Sequence, residues 1–167
     1  MLVNEALMRV FYEQGLDEVF VLGKAQHVAI HLSKTGVPKL EVKEGALVRT
    51  PRGHNRTSGV RPNLLYDSYA YLGASGEEKP KTKVTKNWQG SAEYHQRFAD
   101  HVAHPAVDAV LAFFKKGPHK FDLSDKEKAL PLVFYFKGSP ICEIPELEDA
   151  IRTTHKGEFS YSEEALS

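Results

Sequence analysis

Three features of the sequence predict an α+β fold, with a small antiparallel sheet packed by several helices and a long basic loop. The apolar period changes from helical to alternating and back along the chain. Gly- and Pro-bearing breaks separate the periodic stretches. The 167 residues, 41% hydrophobic and 26% charged, suffice for one core in one domain over residues 1–160.

Leu2, Ala6, Leu7, Val10 and Phe11 recur at helical spacing, which predicts an amphipathic helix over residues 3–14 closed by Gly15. Val28, Ile30 and Leu32 then alternate with Ala29 and His31, as in a half-buried strand. Gly36 and Pro38 mark a turn. Leu40 and Val42 alternate with charges, and Glu44-Gly45 turns the chain into Leu47-Val48, which predicts a three-stranded meander. Residues 49–63 show no periodicity, whereas Leu64 to Leu72 is aromatic enough to pack on the core. Residues 74–87 read as a polar, lysine-rich irregular segment. From Trp88 the period is helical again through Tyr94, Phe98 and Val102. A second helix starts at Pro105, where the missing N–H costs nothing, and ends at Lys115-Lys116-Gly117-Pro118. LVFYF at 132–136, then Gly138 and Pro140, then ICEI predict a second hairpin. Residues 145–154 form a short helix with an acidic first turn. Strands from both ends can share one sheet.

The formal net charge is zero, but it is unevenly placed. Residues 49–90 hold 8 basic and 3 acidic side chains, between flanks that are net acidic. Guanidinium groups on irregular backbone can follow a polyanion, because each presents paired donors to phosphate. The same cations also suit an ordinary solvated loop.

Catalytic patterns are missing. His95, His101 and His104 do not share one helix face, and HExxH is absent. His101 and His104 read as two surface histidines near a helix end, and His27 and His31 as outward-pointing residues flanking a strand. Cys142, the only cysteine, excludes a disulfide framework and an all-cysteine zinc site, and its apolar surroundings suggest a buried, inert thiol. Neither a phosphate-binding glycine loop nor GxSxG occurs. No metal and no cofactor are expected, and the chain reads as a non-enzymatic binding protein. No apolar run approaches the ~20 residues of a membrane span. The N-terminus MLVNEALMRVFYEQ has no secretory pattern, so the expected location is cytoplasmic, without a membrane partner.

The block RTSGVRPNLLYDSYAYLG at 56–73 carries the most information. Arg56, Thr57, Ser58, Gly59, Pro62, Asn63, Leu64, Leu65, Tyr66, Asp67, Tyr69 or Tyr71, and Gly73 resemble a signature of the large subunit of type I-C CRISPR Cascade complexes. The approach through Val48, Pro51 and Arg52, the helical stretch around YHQRFADHV and the apolar LVFYFKG agree with it. Members of that family are several times longer, so the chain is expected to be the N-terminal part of a longer protein. The resemblance implies a subunit without an active site in an RNA-guided antiviral complex. It recognises the protospacer-adjacent motif in target duplex DNA, and contacts the 5′ end of the CRISPR guide RNA and other Cascade subunits. A recruited helicase–nuclease does the cutting, and base pairing reads the sequence.

Within that expectation Asn63 is the first candidate for a base-edge contact, since an amide offers donor and acceptor together. Its alternative is a turn asparagine that caps the following segment. Gly59 either admits a close nucleic-acid backbone or supplies a positive φ in a plain turn. Arg49, Arg52, Arg56 and Arg61 are assigned to phosphates, and Lys81, Lys83 and Lys86, with Lys79, to looser backbone contact. Tyr66, Tyr69, Tyr71 and Trp88 follow the packing pattern and are read chiefly as core, although such rings can stack on unpaired bases. Asp67 is expected to order the loop by pairing with an arginine. Two other functions remain open. One is a protein-interaction module in which the acidic 143–164 region docks a basic partner without base readout. The other is a small-molecule enzyme using the histidines.

Overall fold

The computed structural model describes residues 17–54, 56, 59–73, 83–118 and 120–158. The helix expected over residues 3–14 lies outside them, as do Lys79 and Lys81. The architecture is α+β. Two strands, β1 (Phe20–Gly23) and β4 (Val48–Pro51), form an antiparallel ladder of their own. The larger sheet places β3 (Pro38–Glu44), β2 (Gln26–Leu32) and β6 (Leu132–Phe136) side by side. The short β5 (Tyr66–Asp67) and β7 (Ser139–Pro140) share the far edge of β6.

The β2–β3 hairpin forms as the alternation predicts, with Val28 opposite Val42 and Ile30 opposite Leu40. Three expectations are corrected. First, the meander does not continue: β4 leaves β3 and pairs with β1. Val48 and Thr50 are buried there, whereas the outer edge of β3 is largely exposed. Second, the sheet is mixed. β2 and β6 run parallel from Val28 opposite Leu132 to Leu32 opposite Phe136, because β6 returns through a long helical crossover. Third, the segment expected to be irregular through residue 87 is already helical from Lys83. The buried Asn87 donates from Nδ2 to Ala70 O, at 3.3 Å, and ties that first turn to the body.

The helices are α1 (Tyr69–Leu72), α2 (Lys83–Ala99), α3 (Pro105–Lys115), α4 (Asp125–Lys128) and α5 (Glu148–Glu158). At the start of α3, His104 Nδ1 accepts from Ala106 N with Pro105 in the first turn. Ala106, Val107, Ala109, Val110, Phe113 and Phe114 then face the sheet. The centre is aromatic: Phe113 and Phe114 lie 5.2 and 5.9 Å from the Phe134 ring, and 5.3 and 5.0 Å from Trp88. Burial of each such side chain stabilises the fold by about 2–3 kcal/mol. Trp88, Tyr66 and Tyr71 are thus core residues, as the pattern predicts, while Tyr69 is half-buried against Phe121.

Lys137 and Gly138, both at positive φ, make the two-residue turn from β6 to β7. Most of ICEI is a 3-10 turn, Ile141–Glu143, so that hairpin is short. Cys142 is buried in the turn, and burial pushes its thiol up to about 12. No helix among the described residues is long and apolar enough to cross a membrane.

Candidate nucleic-acid interface

Residues 52–63 begin where β4 ends, and each end of the segment is fixed by the body of the protein. Arg52 donates from Nη2 to Asp17 O at 2.7 Å and from Nε to Glu18 O at 3.1 Å, while its own carbonyl accepts from His155 Nε2 at 3.1 Å. Gly53 passes so close to Tyr66 that a Cβ there would lie 2.6 Å from the phenol oxygen. The next amide, His54 N, donates to Asn63 Oδ1 at 3.1 Å, closing the loop at its base.

Asp67 organises the other end. Its carboxylate pairs with Arg56 Nη2 and accepts from Asn63 N at 2.9 Å and Ser68 N at 2.7 Å. Burial pushes the Asp67 carboxyl up to about 6; the charge of Arg56 and the two backbone donors oppose that rise and keep it ionised at neutral pH. Arg56 also donates from Nε to Arg61 O at 2.9 Å and lies 3.8 Å above the Tyr71 ring. Tyr71 in turn accepts from Arg61 N at 3.0 Å. One arginine, one aspartate and one tyrosine therefore hold the loop's return.

Below the loop, Leu65 is fully buried at φ +67, a conformation costly for leucine. Its N–H donates to His95 Nε2 at 2.9 Å, and His95 Nδ1 donates to Ser91 O at 2.7 Å, which fixes the ring's tautomer. Complete burial drives this histidine down to about 4, so it is neutral. His95 is therefore a core residue, apart from the pair at 101 and 104. The outward reading of His27 is corrected: it is fully buried, with Nδ1 donating to Lys24 O and Nε2 accepting from Tyr135 Oη, each at 2.8 Å. The alternating pattern around it could not show that the second face of β2 is covered too.

Between the loop and α2 lies a groove of about 640 Å³. His54, Val60, Arg61 and Pro62 form one wall. Lys86, Gln89, Gly90, Glu93 and Arg97, all on one side of α2, form the other. The loop packs on the helix where Val60 meets Gly90: a Cβ on Gly90 would be 2.5 Å from Val60 Cγ1. Gly59, at φ +77 and exposed, turns the chain outward just before this contact.

The family model for the CRISPR-associated protein Cas_Csd1 matches residues 6–166. The chain belongs to the Cas_Csd1 family. Membership places its role in a CRISPR system. No curated protein matches the chain.

In this Cas_Csd1 chain the candidate residues divide into two groups. Arg49, Arg52 and Arg56 are engaged within the molecule. Arg49 lies 3.7 Å over the Phe20 ring, with Nη2 2.6 Å from Glu148 Oε1. Asp67 pairs with Arg56, as the sequence suggests. Asn63 has its oxygen on His54 N, which is the turn-asparagine geometry, and it is half-buried at the loop base. Arg61 and Lys86, by contrast, are exposed and line opposite walls of the groove. Gly59 takes the positive φ, and Lys83 opens α2. The sequence reading missed Gln89, Glu93, Arg97, His54 and Val60. With Lys86, the three on α2 (89, 93 and 97) mark one face of a helix, but only the loop laid against that face makes it a groove.

Proposed function

We propose that this chain is a non-enzymatic recognition part of a type I-C Cascade large subunit. It inspects the protospacer-adjacent motif in duplex DNA, contacts the 5′ end of the guide RNA and a neighbouring subunit, and leaves cleavage to a recruited helicase–nuclease. Family membership supports the CRISPR context. The observation that carries the finer reading is the braced loop, which holds exposed Arg61 opposite exposed Lys86. Asn63 stands at its base. In this reading Arg61 and Lys86 meet phosphates, while Arg49, Arg52 and Arg56 act as positioning residues. The Asn63 amide reads a base edge with its Nδ2 donor, because its oxygen already serves His54.

The test is a titration of short duplexes, with and without the motif, against the guide-bound complex at two salt concentrations. Asn63→Ala should lower motif preference about tenfold with an unchanged salt slope. Arg61→Gln should weaken retention of the guide RNA and leave motif preference unchanged, because this reading puts Arg61 on guide phosphates. Unaltered motif preference in Asn63→Ala would exclude direct readout by this residue. The protein-interaction reading is favoured by exposed Glu146, in the 3-10 turn before α5, and exposed Asp149 in its first turn. It gains if charge reversal there disrupts assembly while the loop variants change nothing.

A further inference from the structure

The groove between the loop and α2 contains one residue that a plain phosphate-binding surface does not need. Glu93 is exposed on the helix wall, one turn from Gln89 and one turn from Arg97. A carboxylate only accepts hydrogen bonds. Phosphate and deoxyribose oxygens only accept as well, so along a DNA backbone Glu93 is purely repulsive. Ribose differs, because its 2′-hydroxyl can donate.

The size of the groove also restricts the ligand. About 640 Å³ falls within the ~300–1,000 Å³ typical of pockets that hold small ligands, the scale of a nucleotide or two. A double helix is far larger and could meet only the rim. Among the described lining residues there is no phenylalanine, tyrosine or tryptophan, so the large stacking platforms for bases are missing and His54 is the one aromatic ring present. Recognition here falls to the strand's backbone, with Val60 and Pro62 supplying apolar contact.

We infer that this groove holds a short stretch of single-stranded RNA, with Arg61 and Lys86 on its phosphates and Glu93 accepting a hydrogen bond from a ribose 2′-hydroxyl. This rests on the proposed function, in that it assigns the guide-RNA contact to a particular groove and names the residue that separates RNA from DNA.

Fluorescence anisotropy at low salt tests it with the 167-residue chain and three labelled octamers of one sequence. These are oligo-uridylate, its 2′-deoxy form and its 2′-O-methyl form, which accepts but cannot donate. The ribose strand should bind roughly fivefold to tenfold tighter than either of the others, the scale of one hydrogen bond at an exposed site. In Glu93→Ala that ratio should fall to about one, while Glu93→Gln, which keeps an acceptor, should retain part of it. Arg61→Gln should weaken all three strands alike. Equal binding of the three strands by the parent chain, no binding of any, or an unchanged ratio in Glu93→Ala would each overturn the inference. So would oligo-deoxycytidylate binding as tightly as the RNA, which would make a base amine the donor. Motif preference in the assembled complex, read through Asn63, is a separate result, so this inference can fail while the proposed function stands.

Discussion

His95 shows how one side chain can hold a costly backbone geometry. Its neutral ring accepts the Leu65 N–H where leucine takes a left-handed conformation, and no water reaches it to replace that acceptor. Charging the ring would remove the lone pair that serves Leu65. Because the folded value lies near 4, below the ordinary 6.5, the unfolded chain binds the extra proton first on acidification. Its contribution is fully present above about pH 6.5 and is lost as pH falls towards 4. Urea unfolding across this range should show stability declining with acid by up to about 3 kcal/mol from this group. The lowered values of the buried His27 and His155 add to the same trend. His95→Gln should flatten the acid slope measurably; a slope identical to that of the parent would mean that His95 does not titrate in this way.

At the scale of elements, two glycines in turns of the β2–β3–β4 stretch make opposite predictions although both have positive φ. Gly36, at φ +80, lies against the backbone of α3, and a Cβ there would come within 2.4 Å of Phe113 N and 2.7 Å of Ala112 C. Backbone atoms of a packed helix cannot step aside. Gly45, at φ +71, faces open space. Gly45→Ala should therefore cost only the left-handed penalty of about 1–2 kcal/mol. Gly36→Ala should cost several kcal/mol more, or prevent folding, because hairpin and helix must separate. Urea midpoints of the two variants check this, and similar losses would mean that the hairpin turn does not seat on α3. The comparison also shows what was legible. The turn at Gly36 and the helix from Pro105 could each be read from sequence, but their contact could not.

For the whole molecule, the parallel pairing of β2 with β6 closes the fold across about a hundred residues of chain. Both strands are buried almost throughout, with α3 against them and Phe134 at the centre of the aromatic cluster. Amides of Ala29 to His31 and Val133 to Tyr135 should therefore exchange slowest, with one shared opening free energy, in native-state hydrogen exchange. Exchange from the two strands with separate, smaller free energies would show that they do not form one cooperative unit.

The sequence alone determined what depends on near neighbours: the alternation that makes β2 and β3, the closing turn and stripe of α3, the aromatic block that buries Tyr66 and Tyr71, and the expectation that Asp67 pairs with an arginine. Tertiary structure decided the rest. β4 finds β1 instead of β3, His27 and His95 turn inward, and three of the four arginines between residues 49 and 61 find partners on Glu148, on carbonyls near residue 17 and on Asp67. The physical reason is range: a hydrophobic period records which face of a segment avoids water, but a guanidinium or an imidazole is assigned by whichever acceptor the finished fold brings to it.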